Sequence, residues 1–232
     1  MKNKTLLTVL TICLTLTPLS VQAQTAHMAV SVAEVGTLDP HFANKIGEVP
    51  IIRMVYQSLL RHPAGEIDVA KLEPSLATQW AVADDKLTWT FHLRKGVKWH
   101  EEYGALTAED VKFSLDRIRD EKVGSPARKA ISAIESVTVV DPYTVQIKTT
   151  DPYPVLPAMM VEERFGYIIC KKAAEKLGED LKYHPIGTGP FMYDSYKPRE
   201  SFTLKANTDY WGGKPSLDKV MVSFMPVSYT HL

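Results

Sequence analysis

The chain has 232 residues, 45% of them hydrophobic, and its 27 Lys and Arg are balanced by 27 Asp and Glu. That length can bury one good core, or a core with a satellite domain. Zero net charge gives no field that would favour nucleic acid or an anionic membrane as a partner.

The first residues point to export. Lys2 and Lys4 make a short basic start, residues 6–16 are apolar and uncharged, Pro18 breaks any helix, and Val21-Gln22-Ala23 offers small residues to a signal peptidase. This is the three-part pattern of a cleavable secretory signal, with cutting expected after Ala23. The apolar run is shorter than the ~20 residues a spanning helix needs. Cys13 follows the bulky Ile12, which does not suit a lipid-attachment site, so it belongs to the discarded signal. Cys170 is then the one cysteine left. The mature chain has no internal disulfide to make and must be stable from its core.

Residues 30–38 are expected to open as a strand and become a loop closed by Asp39-Pro40. Ile51, Ile52, Val55, Leu59 and Leu60 recur at helical spacing, predicting an amphipathic helix near 50–60 that ends in the turn residues His62-Pro63-Ala64-Gly65. Over 87–93 the residues alternate, with Leu87, Trp89, Phe91 and Leu93 on one face and Thr88, Thr90 and His92 on the other. That is a half-buried strand. Thr107 is a good N-cap, Asp110 stands in the capping-box position, and Val111, Leu115 and Ile118 give the following helix its buried stripe. Residues 137–140 and 144–148 form a hairpin through Asp141-Pro142-Tyr143. A helix over 171–177 stops at Gly178, and 202–206 and 220–224 are further short strands. Strands and helices mix without strict alternation, which predicts an α/β or mixed α+β fold.

Four stretches, in order, resemble the peptide, opine and nickel class of extracellular solute-binding proteins, family 5. They are Thr37-Leu38-Asp39-Pro40-His41, then Leu72-Glu73-Pro74-Ser75-Leu76-Ala77 with Trp80, then LTWTFHLRKGVKWH over 87–100 with Leu106-Thr107-Ala108-Glu109-Asp110-Val111, and lastly Gly187-Thr188-Gly189-Pro190-Phe191 with Asn207, Tyr210, Trp211 and Gly213. The third stretch reads as a packing unit, with Gly96 free to take a positive φ in the turn after the strand. Its aromatic residues, and Trp211, are expected in the core rather than on a ligand. The GTGP turn has two readings. It is a tight connection between segments, or a place where small residues let backbone N–H groups approach a ligand or a neighbouring strand. The first is preferred.

The resemblance implies a periplasmic binding protein of type II-like fold, in which two lobes close on a ligand. Here it implies the first lobe with the family's extra subdomain, and no second lobe. Residues 24–56 and 166–227 would form the discontinuous main sheet domain, 57–165 the small extra subdomain, and 228–232 a tail foreign to the native chain. It further implies a monomeric periplasmic receptor that captures a di- or oligopeptide by strand pairing and hands it to the permease of an ABC importer, with no cofactor and no nucleic acid. Asn44, Lys45 and Ile46 fall where backbone contacts from the first lobe are expected.

The same family also offers nickel, opines or other small solutes as ligands. His41, His62, His92, His100 and His184 show no pair at metal-ligand spacing, so no metal site is expected. An exported serine hydrolase is a different class of reading. Ser216-Leu217-Asp218-Lys219 matches S-x-x-K, but the partner motifs S-D-N and K-T-G are missing. His100-Glu101-Glu102 is not H-E-x-x-H, because position 104 is glycine. The expectation is a binding protein and not an enzyme.

Overall fold

The computed structural model describes residues 24–225 apart from 67 and 69. The proposed signal and the 228–232 tail lie outside the described residues. In chain order the elements are β1 (Thr25–Val30), α1 (Val49–Val55), β2 (Gln57–Ser58), β3 (Leu60–Arg61), β4 (Glu73–Pro74), β5 (Ala77–Val82) and β6 (Thr88–Leu93). There follow α2 (Ala108–Arg119), β7 (Ile134–Asp141), β8 (Thr144–Thr149), α3 (Leu156–Met159), β9 (Tyr167–Ile168), α4 (Lys171–Leu177), β10 (Phe191–Lys197), β11 (Ser201–Ala206) and β12 (Lys219–Phe224). The fold is mixed α and β.

Two four-stranded sheets carry two hydrophobic cores. One sheet has the order β5-β6-β8-β7 and is antiparallel throughout, with Trp89 opposite Ile147 and Phe91 opposite Val145. The alternation of 87–93 is realised there: Trp89, Phe91 and Leu93 are buried, and His92 is exposed. Val111, Leu115 and Ile118 of α2 cover that face. The other sheet has the order β1-β12-β11-β10, with β1 running parallel to β12. Its core holds Phe202, Leu204, Val220, Val222 and Phe224 with Ile51, Ile52 and Val55 of α1.

The cores change over at two places. Tyr56 belongs to the second-named core and Leu59 to the first, and along β9 and the next residues Tyr167 and Ile169 face one core while Ile168 and Cys170 face the other. Opposite faces of a strand diverge by the period of two, so this segment forms the seam between the cores.

Two expectations need correction. The opening strand is Thr25–Val30, before the predicted 30–38, because its inward residues Ala26, Met28 and Val30 align with Val220, Val222 and Phe224. The helix stops at Val55 instead of running to 60. Tyr56 turns extended (φ −104°, ψ 161°), and the Val55 carbonyl accepts the Gly189 N–H at 2.9 Å rather than continuing the helix. Leu59 and Leu60, which prolonged the helical pattern, are buried in the other core.

Candidate functional site

The loop from Gly36 to Glu48 leads from β1 to α1 and is fixed at two points. The first is Asp39. Its carboxylate accepts the backbone N–H of His41 at 3.0 Å and takes a two-pronged ion pair from Arg117 of α2, at 2.6 and 3.2 Å. Arg117 also lies over the Phe42 ring, 5.1 Å from its centre. The planar guanidinium suits such a paired contact. His41 is fully enclosed: Nε2 donates to the Tyr167 carbonyl and Nδ1 accepts from Arg117, each at 3.0 Å. Burial, aided by the Arg117 charge, lowers its pKa to about 4, against the opposing pull of Asp39. The Ser125 hydroxyl then donates to the His41 carbonyl at 2.7 Å.

The second fixed point is Glu48, which is buried. Its carboxylate accepts the backbone N–H groups of Gly36 at 2.7 Å, Thr37 at 3.0 Å and Lys45 at 3.2 Å. The carbonyl of Lys45 in turn accepts the Glu48 N–H, and that of Ile46 accepts the Val49 N–H. Asn44, Lys45 and Ile46 are all exposed, and Ile46 is 90% open to solvent. Their polar groups are not equivalent. The N–H and carbonyl of Lys45 are used inside the loop. The backbone groups of Asn44 and the N–H of Ile46 have no partner among the described residues.

Two clefts of similar volume are formed by the described residues. One of about 730 Å³ runs between the opening loop, α2 and α4, lined by Thr37, Phe42, Phe113, Arg117 and Lys182. None of Asn44, Lys45 and Ile46 lines it. The other, about 740 Å³, is bordered by Glu101, Glu102, Lys205 and Asp209. Glu101 and Glu102 have positive φ angles of 54° and 62°, and Glu101 is paired with His184 at 2.8 Å.

The GTGP turn serves packing. A Cβ on Gly187 would overlap the carbonyl oxygen of Val55, and one on Gly189 would crowd the carbonyls of Met54 and Val55. The turn is laced by His100, whose Nε2 donates to the Gly189 carbonyl at 3.0 Å and whose Nδ1 accepts the Gly187 N–H at 3.2 Å. Burial lowers the His100 pKa to about 4. Asn207 adds a bond to the Gly189 carbonyl at 2.9 Å. The small residues therefore admit a helix end. Trp99 is buried, as expected of a core residue. Trp211 is only half-buried: its N–H donates to Gln57 at 2.6 Å and Arg94 stacks 4.1 Å from its ring.

The remaining chemical motifs do not assemble. Lys219 lies in β12 with Nζ 3.0 Å from Asp194, and Ser216 is exposed in the preceding loop. Among the described residues no three His, Cys, Asp or Glu side chains are grouped to hold a metal ion. None of the described helices is long and apolar enough to cross a membrane. Sequence reasoning missed Glu48 and Arg117. Glu48 stands at the N-cap of a helix, two residues before Pro50, but its partners lie up to twelve residues back, beyond any local signal.

Comparison with known proteins agrees with this architecture. The Dipeptide-binding protein of Escherichia coli (strain K12) is 36% identical over 194 residues, covering 74% of this chain and 35% of the relative. The solved structure of MoaA from A.tumefacien R10 in complex with mannopinic acid is 40% identical, with a TM-score of 0.85 over 89% of this chain and 42% of that one. DppA from Helicobacter pylori in complex with peptide STSA is 30% identical, with a TM-score of 0.74 over 90% of this chain and 44% of that one. The chain thus spans little more than a third of the length of the curated relatives it matches. A sequence model of the bacterial extracellular solute-binding proteins, family 5 Middle, matches residues 71–231, and the chain belongs to that family.

Proposed function

We propose that this chain forms one lobe of an exported, two-lobed receptor that captures a short peptide and delivers it to the permease of an ABC importer. The observation that carries the reading is the free pair on the pinned loop. The Asn44 carbonyl and the Ile46 N–H flank Lys45, whose own N–H and carbonyl are already bonded. One acceptor and one donor separated by a single residue clamp one residue of an extended chain, which is the basis of strand-addition recognition. In this reading residues 24–56 and 166–227 are the main sheet domain and 57–165 the extra subdomain. The division of the cores at Tyr56/Leu59 and along β9 supports it. A second lobe would close over the loop, and this chain by itself would bind weakly, because a pocket must enclose most of its ligand.

A second reading, an opine receptor, is favoured by the 40% identity and TM-score of 0.85 to a protein solved with mannopinic acid. The test is a thermal-shift and calorimetric titration of the natural full-length protein with di- and tetrapeptides, mannopinic acid and nickel. Peptide is expected to raise Tm, since a ligand bound only by the native state stabilises it. A rise with mannopinic acid and none with peptides would sink the peptide reading in favour of the opine. The site itself is tested by Ile46→Pro, which deletes the N–H of residue 46. Peptide affinity should fall at least ~10-fold, the scale of one lost hydrogen bond in an enclosed site.

A further inference from the structure

We infer that Glu48 is the positioning residue of this receptor loop, holding the binding edge at 44–46 in its working shape without touching the ligand. The inference rests on the reading of Asn44 and Ile46 as the contact edge.

The geometry is that of a clasp. Glu48 is 1% exposed, so its carboxylate has left water and depends on protein donors. The donors it has are backbone N–H groups at both limbs of the loop, Gly36 and Thr37 on one and Lys45 on the other. Hydrogen bonds to an ionised acceptor are stronger than neutral ones. Each therefore resists the opening of a segment that otherwise lies outside any strand or helix. The limbs also come close at glycines. A Cβ on Gly36 would meet Lys45 Nζ at 2.9 Å and Glu48 Oε1 at 3.0 Å, and one on Gly47 would meet a methyl of Val32 at 2.5 Å.

The clasp selects which groups face the solvent. By taking the Lys45 N–H, Glu48 leaves the Asn44 carbonyl and the Ile46 N–H as the free pair on either side of it. A loop already ordered in this form spares the ligand the cost of ordering it on binding. Glu48 would thus act on affinity through preorganisation.

The experiment uses Glu48→Gln in the natural full-length protein, with Val222→Ala in the sheet core as a variant of comparable loss in Tm that removes none of the clasp's hydrogen bonds. A carboxamide keeps the size of the side chain but offers one acceptor oxygen, and its NH2 opposes a backbone N–H. Amide hydrogen exchange at Gly36, Thr37 and Lys45 should accelerate in E48Q, while exchange in β11 and β12 should not. The dissociation constant for a di- or tetrapeptide should rise about 10-fold or more in E48Q and stay near wild type in V222A. Equal affinity in E48Q and V222A would overturn the inference and leave Glu48 a structural residue. Unchanged affinity in I46P has a different meaning: the contact edge itself is then misplaced, and the positioning role falls with it.

Discussion

At the scale of single residues, two buried histidines tie this protein's stability to pH. His41 is enclosed between Arg117, Asp39 and the Tyr167 carbonyl, and His100 is threaded into the GTGP turn. Each is neutral in the fold with a pKa lowered to about 4, burial being the main cause. An unfolded histidine takes up its proton near 6.5. Between those values the unfolded chain binds more protons than the native one, so stability rises with pH. The contribution is whole above pH 6.5 and is lost as pH falls towards 4, by up to about 3 kcal/mol per histidine. Urea unfolding from pH 4.5 to 7 should show this slope, and His100→Gln should reduce it by about half. An unchanged slope in that variant would mean that the protons go elsewhere. Gly187 makes a second case at this scale. Gly187→Ala places a methyl into the Val55 carbonyl, with no flexible side chain to yield. It should cost several kcal/mol, about 3 or more, as expected of overpacking against backbone. A Tm within a degree or two of wild type would refute the close approach.

At the scale of elements, α2 is the piece most plainly written in the sequence, and Asp110 shows how it is used twice. The capping position was legible from Thr107 and the acidic first turn. In the structure Asp110 Oδ2 accepts the Thr107 N–H at 3.0 Å and faces the Trp99 N–H at 3.4 Å, while Oδ1 accepts the Lys171 N–H at 3.0 Å. One carboxylate thus starts α2 and ties it to the head of α4. Asp110→Asn should destabilise by about 2 kcal/mol or more, because its NH2 would confront a backbone or indole N–H and leave a buried donor unpaired. A shift below about 0.5 kcal/mol by urea denaturation would show the contacts to be incidental. The β6 strand, the β7–β8 hairpin and α4 were legible for the same reason as α2: each has a local period and a local stop, such as Gly178 after Leu177. What misled was a period that crossed a boundary. Leu59 and Leu60 continue the rhythm of α1, yet serve a different core once Tyr56 has turned. Strand β1 hides because its inward residues are small or flexible, Ala26 and Met28, and its partner β12 lies almost two hundred residues away. For the candidate site, the sequence pointed to 44–46 through family resemblance alone. Glu48 and Arg117, which fix the loop, act across distances that no local pattern records.

At the scale of the molecule, two cores raise the question of whether they unfold together. Each has its own four-stranded sheet, and separate sheets can open as separate units unless contacts couple them. Three features bind them. The segment from Tyr167 to Cys170 lends alternate residues to both cores and cannot be released from one without exposing the other. Arg117, on a helix covering one sheet, forms its ion pair with Asp39 beside the other core, where Asp39 is 7% and Arg117 18% exposed at the side chain. The GTGP turn receives the end of α1 and is held by His100 from the opposite unit. Removing one partner of a desolvated charge pair costs about 3–5 kcal/mol, so partial unfolding that strands Asp39 or Arg117 is strongly opposed. A single cooperative transition follows. The tryptophans provide a clean probe, since Trp89 and Trp99 lie in one core and Trp80 and Trp211 pack against it, while Phe202, Phe224 and Tyr193 report on the other. Tryptophan fluorescence and the NMR signals of those Phe and Tyr rings should lose intensity at the same urea concentration. Arg117→Ala should lower both midpoints together, because the seam along β9 and the His100-held GTGP turn still join the units when the ion pair is gone. Two midpoints already in the wild-type chain would show that the seam along β9 does not couple the cores.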